Sequence, residues 1–336
     1  MKILFIGTDE ANRWRELVPG QEIAFWDAFR ENENAPGDAP ADCEWLRRGA
    51  VPVQGPEEIE RFKPDFAVVG VPNYRKNDPR IEAALLEGGV PFYIHKFRTA
   101  CPGDFEKTLA IQRKTGVDVL VGESYRCNPV VLTVKTFLDS AGFGRPEFLK
   151  WDSRVAESRV WEWEAAYASI ALGDLALHHF SAIQTLAGLD TVSVYARSLS
   201  PLKGKPAAGS LSVTLMETTS GLLIQHTIDW HSTMGQTSYL GDFSVECEKG
   251  GVSAVDGRVF VKPWGETERE IPLLPAVPSP ASRAFEYFRS QGKRPKPYSK
   301  PYSIEDFAPV MRNVHYALQS AATGLPVKPP ADGVAE

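Results

Sequence analysis

Lys2-Ile3-Leu4-Phe5-Ile6-Gly7 is the stretch on which the fold turns. An unbroken apolar run closed by a glycine reads as a buried parallel strand entering a βα turn. Glu22-Ile23-Ala24-Phe25-Trp26 reads as the next strand, and Asp65-Phe66-Ala67-Val68-Val69-Gly70-Val71 as a strongly apolar one broken by Pro72-Asn73. Between and after them come helical patterns. Pro56-Glu57-Glu58 starts one with proline and acids in its first turn. Residues 79–89 and 104–115 follow, each leading to another strand, Pro91-Phe92-Tyr93-Ile94 and Val117-Asp118-Val119-Leu120-Val121-Gly122. Strands alternating with helices imply a Rossmann-type parallel sheet with right-handed crossovers. In such sheets ligands bind beyond the C-terminal strand ends.

Two features at those ends bear on the ligand. Asp27 lies 20 residues after Gly7, the spacing at which a dinucleotide fold sets an acid on the ribose hydroxyls. The loop after the first strand, Gly7-Thr8-Asp9-Glu10-Ala11-Asn12, keeps only the first of the three glycines such a site wants. Two carboxylates stand where phosphates are expected, and their charge opposes an anion. The loop alone leaves both a binding and a lapsed cofactor site open. His95-Lys96-Phe97 puts a lysine just past a strand end, facing the ligand crevice or plain solvent.

Length and composition bound the rest. A chain of 336 residues is comfortable for two domains, read here as 1–122 and 123–330. With 43% hydrophobic and 24% charged residues it reads as globular, and a net charge of -6 argues against nucleic acid as a partner. Cys43, Cys101, Cys127 and Cys247 form no CxxC pair, so neither a disulfide framework nor a zinc site is indicated. The first residues lack a signal-peptide pattern and no run is long enough to span a membrane, which reads as a cytoplasmic protein.

From about residue 147 strand-like runs dominate: 148–152, 192–198, 210–217, 221–231 and 244–248. Asp256-Gly257 is a hairpin turn signal. Helical patterns cover 282–292 and 303–323, the second capped by Ser303 and stopped by Gly324-Leu325-Pro326. The C-terminal region is therefore expected to be α+β with a large, mostly antiparallel sheet. Within it the apolar run 170–186 carries Asp174 and His178, one turn apart on one face if the run is helical. Such a pair suits proton transfer near neutrality, or is a buried histidine held by a carboxylate. His179 is expected to pack, since neighbouring helix residues diverge by about 100°. His226, Asp229, Trp230 and His231 alternate along a strand and are not read as a metal site.

Taken together, these pieces resemble the glucose–fructose oxidoreductase/inositol dehydrogenase (Gfo/Idh/MocA) family. The resemblance rests on Pro72-Asn73 after the apolar strand and on His95-Lys96-Phe97 where the family carries Glu-Lys-Pro. It also rests on Gly122-Glu123-Ser124-Tyr125-Arg126-Cys127-Asn128-Pro129, Asp174-Leu175-Ala176-Leu177-His178 and Thr323-Gly324-Leu325-Pro326-Val327. It implies hydride transfer between NAD, or NADP, and a hydroxyl-bearing carbon of a sugar, cyclitol or related polyhydroxylated molecule. His178 would be the acid/base, Lys96 its assistant at the substrate oxygen, and Asp174 the orienting group. Cofactor contacts are expected at Gly7, Thr8, Asp9, Asp27, Val71, Pro72, Asn73, His95 and Lys96. Substrate contacts are expected at Tyr125, Arg126, Arg154 and Trp161. Asp27 would repel a 2′-phosphate, which favours NAD, although Arg30 lies close by. The resemblance further implies a homodimer or homotetramer built through the C-terminal sheet. The glycine-poor loop keeps two alternatives in view: a non-catalytic ligand-binding or scaffold member, and a non-redox enzyme using a tightly bound NAD.

Overall fold

Six strands form the first sheet: β1 (Lys2–Ile6), β2 (Glu22–Trp26), β3 (Val51–Val53), β4 (Phe66–Val69), β5 (Phe92–Ile94) and β6 (Val119–Val121). They run in the order β3-β2-β1-β4-β5-β6, and every neighbouring pair is parallel. The structure is a computed structural model. It describes residues 1–7, 11–26, 49–53, 55–70, 79–97, 102–140, 142–156, 164, 167–200, 208–290 and 301–330. The expected features at Thr8, Asp9, Asp27, Arg30, Val71, Pro72, Asn73 and Trp161 lie outside the described residues. The chain divides into one unit of Met1–Glu123 with Pro278–Phe307 and another of Ser124–Val277 with Ala308–Glu336. The segment 278–307, which the sequence reading kept with the C-terminal region, thus packs with the first sheet.

Parallel strands buried on both faces need continuous apolar sequence, and β1 and β4 supply it, with residues 3–6 and 66–69 at 0–1% exposure. One face is closed by the short helix Ala11–Trp14 and by the returning helix Pro280–Arg289. Trp14 is fully buried there and touches the rings of Phe5, Phe66, Tyr93 and Phe285 at centroid distances of 6.2, 5.8, 5.2 and 6.3 Å. Phe288 stacks on Phe66 at 4.6 Å. The free edge of β6 is covered, with the Val121 N–H donating to the Tyr302 carbonyl at 2.7 Å.

The second sheet has eight strands: β7 (Pro146–Arg154), β8 (Thr191–Leu199), β9 (Leu211–Thr218), β10 (Leu223–Asp229), β11 (Asp242–Cys247), β12 (Gly250–Val255), β13 (Arg258–Pro263) and β14 (Arg269–Ile271). Their order is β14-β13-β12-β11-β7-β10-β9-β8, antiparallel throughout except for the parallel pair β7/β10. Asp256 and Gly257 join β12 to β13 with φ of 49° and 71°, the double positive φ of a tight hairpin turn. Alternation along β7 buries Leu149, Trp151 and Ser153 on one face. That face packs on helix Ala176–Ala187, as the Trp151–His179 ring contact at 5.4 Å shows. The edge strand β8 is covered by Val327, which exchanges two backbone hydrogen bonds with Val194.

Gly122, at the C-terminal end of β6, sits where no side chain fits. A Cβ there would stand 2.1 Å from the Tyr93 hydroxyl and 3.0 Å from the His95 Cα. Gly122→Ala is expected to destabilise the protein by about 1–3 kcal/mol through forced shifts at this strand end. A urea melt with unchanged midpoint would contradict that packing.

Candidate active site

The first unit presents its candidate residues at the C-terminal edge of the parallel sheet. Gly7 follows β1 with φ of 78°, a left-handed turn that glycine enters without steric cost. Its N–H donates to the Trp26 carbonyl at 3.0 Å. Gly70 donates to Ile6 at 2.9 Å and His95 to Val69 at 3.3 Å. The backbone donors at these strand ends are therefore used by the ladder itself. Donors for a ligand must come from beyond Gly7 or from side chains. Lys96, next to His95, is 6% exposed. Arg13, in the short helix after the loop, brings its Nη1 to 2.8 Å from Nδ1 and 2.9 Å from Nε2 of His95. Sequence reasoning missed Arg13; its only signal was a cation six residues after Gly7.

In the second unit the run from residue 170 is not one regular helix. Ala171–Leu175 forms a π-helical turn, with the Ala176 N–H bonded five residues back to the Ala171 carbonyl, before the α-helix Ala176–Ala187 begins. Asp174 stands in the widened turn and His178 in the first turn of the α-helix, both half-buried. The expected regular one-turn stacking of the two is thus corrected to a π-to-α junction. Such junctions recur at functional sites.

Tyr125 stacks on His178, with ring centroids 5.1 Å apart and planes at 30°. It lies in the 3-10 turn Tyr125–Cys127, which also holds Arg126. That turn is anchored by helix Pro129–Leu138, whose N-cap Asn128 accepts from the Val130 N–H at 2.9 Å. Arg154 is not brought to this group. It alternates with the inward-facing Ser153 on β7, so it lies on the sheet's other face, with its Nε 3.0 Å from Asp152.

His179 is fully buried, as its helix position implied. Its Nε2 lies 2.8 Å from the Tyr239 carbonyl and its Nδ1 2.9 Å from Nε2 of His226. A carbonyl only accepts, so Nε2 of His179 carries the proton. A neutral His179 then accepts at Nδ1 from Nε2–H of His226, and the Nδ1 of His226 is left buried without a hydrogen-bond partner. Burial holds the His226 pKa well below the usual 6.5, with His179 adding to the effect. The sequence placed His226 on a strand, but its partner is 47 residues away and was not legible. Among the described residues no group of three or more His, Cys, Asp or Glu is placed to hold a metal ion. No described helix is long and apolar enough to cross a membrane.

The neutral His226 has a consequence for stability. Its unfolded form takes up a proton near pH 6.5 that the native form refuses. Its contribution is full above that pH and is lost as pH falls below it, by roughly 1.4 kcal/mol per pH unit for this one group. Urea unfolding between about pH 7.5 and about pH 5.5 should therefore show a shallower pH slope in His226→Gln than in the wild type. Equal slopes would show that His226 is charged in the folded protein.

One unit holds a parallel sheet in the order 3-2-1-4-5-6, the other a mostly antiparallel sheet backed by a histidine-bearing helix, and the first has the strand order of a dinucleotide fold. Residues 131–253 match the family model for the GFO/IDH/MocA C-terminal domain. No curated protein sequence matches the chain. Among solved structures, it is similar to an oxidoreductase from Agrobacterium radiobacter in complex with NAD+, L-tartaric acid and magnesium. That likeness has 15% identity and a TM-score of 0.78, covering 98% of each chain. It is also similar to the WlbA dehydrogenase from Bordetella pertussis in complex with NADH and UDP-GlcNAcA, at 15% identity and a TM-score of 0.74 over 99% of each chain. The aldose-aldose oxidoreductase from Caulobacter crescentus, complexed with glycerol, is 14% identical with a TM-score of 0.74, covering 98% of this chain and 99% of that one. At these identities the likeness is one of fold.

Proposed function

We propose that the protein is an NAD-dependent oxidoreductase acting on a hydroxyl-bearing carbon of a polyhydroxylated small molecule, a sugar or cyclitol by chemistry. The observation that carries this reading is the parallel sheet order, with its switch point between β1 and β4. The donors near that end suit a dinucleotide: Arg13 and Lys96 are cations, and Gly7 turns the chain away with positive φ. The solved relatives that hold NAD+ and NADH support the same choice. Asp27 favours NAD over NADP by repelling a 2′-phosphate.

When bound, the nicotinamide supplies the hydride chemistry. The chain's own task is the proton. His178 is assigned the exchange of the substrate hydroxyl proton, because an imidazole nitrogen can take up a proton from a hydroxyl and return it. Tyr125, stacked on it, holds the ring plane. Asp174 orients the imidazole or the substrate. Lys96 hydrogen-bonds the substrate oxygen and favours the negative charge that develops there as the proton leaves.

Titration of the protein with NADH and NADPH, followed by nicotinamide fluorescence, tests the cofactor. Binding of NADH more tightly than NADPH is expected, and binding of neither would refute the reading. Given a polyol that reduces NAD, His178→Ala should lower kcat/KM by about 10²–10⁴-fold while NADH binding persists. Undiminished turnover in the folded variant would remove His178 from the mechanism.

We further propose a homodimer or homotetramer through the open face of the second sheet, where Val213, Leu215 and Leu223 are 41–45% exposed. Leu215→Glu should lower the mass seen by sedimentation. A wild type that sediments as a monomer would exclude the assembly.

A further inference from the structure

Three features at the crevice end of the parallel sheet require one account. The loop from Gly7 to Asn12 lacks the second and third glycines, which in a glycine-rich loop let backbone approach a diphosphate closely. Asp9 and Glu10 add negative charge. The helix Ala11–Trp14 is only four residues long, so few aligned peptides face an anion there. The usual sources of phosphate affinity are thinned, and the local charge has the wrong sign.

Arg13 supplies the opposite sign. It is exposed, and its neighbour Trp14 is pinned in the core, which fixes the helical turn that carries it. The guanidinium meets the imidazole of His95, which follows β5. In the sheet order, β4 lies between β1 and β5. The contact therefore reaches over the end of β4, beside the β1/β4 switch point where such sheets bind their ligand. A neutral imidazole has a single unprotonated ring nitrogen, so only one of the two contacts is an Arg13 N–H donated to His95, which through that nitrogen steers Arg13.

We propose that Arg13, positioned by His95, is the cationic contact for the diphosphate of the dinucleotide and replaces the phosphate-binding role of the missing glycines. This rests on the NAD reading above. A guanidinium presents paired N–H donors that match phosphate oxygens, and it keeps its charge at any working pH. His95 is a positioning residue: it holds the fork over the strand ends until the anion takes its place.

The test is calorimetric titration of the full chain with NADH, for the wild type and for Arg13→Gln, His95→Gln, His95→Ala and Arg15→Ala. Arg13→Gln should weaken the Kd by about 10- to 100-fold, the size of a charge-assisted hydrogen bond, with the melting temperature unchanged. The dependence of log Kd on log salt should flatten in the same variant, because a cation has left the site. His95→Gln, which keeps an acceptor, should retain affinity better than His95→Ala. Arg15→Ala, an exposed cation close by in sequence, should leave the Kd unchanged. If the wild type binds neither NADH nor NADPH, the oxidoreductase reading falls and this inference with it. If the wild type binds and Arg13→Gln binds equally well, the inference alone falls. Tighter binding by Arg13→Gln would also overturn it, and would mean that the Arg13–His95 contact obstructs the crevice.

Discussion

The burial of Trp14 is the constraint on which the first unit depends. One ring reaches β1 through Phe5, β4 through Phe66, β5 through Tyr93 and the returning helix through Phe285. A four-residue helix has too few hydrogen bonds to hold its own place. The ring does it instead, and its burial is worth about 4–6 kcal/mol by area. The indole N–H is buried without a hydrogen-bond partner, which offsets about 1–3 kcal/mol of that gain. The balance still favours the buried ring. With Trp14 held inward, the preceding residue is delivered to the ligand edge of the sheet. Core packing and the placement of a cation are thus one event.

The second unit uses a different device. Its sheet is backed on one face by helix Ala176–Ala187, and the join is made of rings. Tyr125 lies against His178 and His179, His179 against Trp151, and Trp151 stacks on Phe243 at 4.1 Å. A polar pair, His179 with His226, is set into this apolar column. Leaving the Nδ1 of His226 without a partner has a cost, and that cost is specific to one register. A helix displaced by a turn would break the bond to Tyr239 as well and strand a second buried polar group. The pair therefore selects one placement of the helix that presents His178, more than it adds to stability.

Local sequence carried most of the architecture. The apolar runs at 3–6 and 66–69, the Asp256-Gly257 turn and the Asn128-Pro129 helix start are each decided within a few residues, and each forms as the pattern implies. What was not legible depends on partners far apart in the chain. Pro280–Arg289 looks like any amphipathic helix until Trp14, more than 260 positions earlier, gives it a place to dock. The π-turn at Ala171–Leu175 leaves no mark in hydrophobic spacing, because it changes the register by a fraction of a turn. Arg154 lies on the sheet face opposite Trp151, as strand alternation counts it.

Glycines and an arginine solve the phosphate problem by different physics. Glycines let neutral backbone dipoles approach an anion closely, in a geometry set by the fold and little affected by salt. An arginine acts through net charge on a long side chain, over a longer range but with screening by ions. The first solution needs a loop free of side chains and of like charge. The loop after Gly7 has neither freedom. With Asp9 and Glu10 in the loop sequence, added backbone dipoles would work against two carboxylates, whereas a cation carries the opposite charge. In the role proposed for it, Arg13 adds a cation next in sequence to a loop whose own charges oppose an anion. That cation is carried by the turn that Trp14 anchors, and the loop sequence from Gly7 to Asn12 does not contain it.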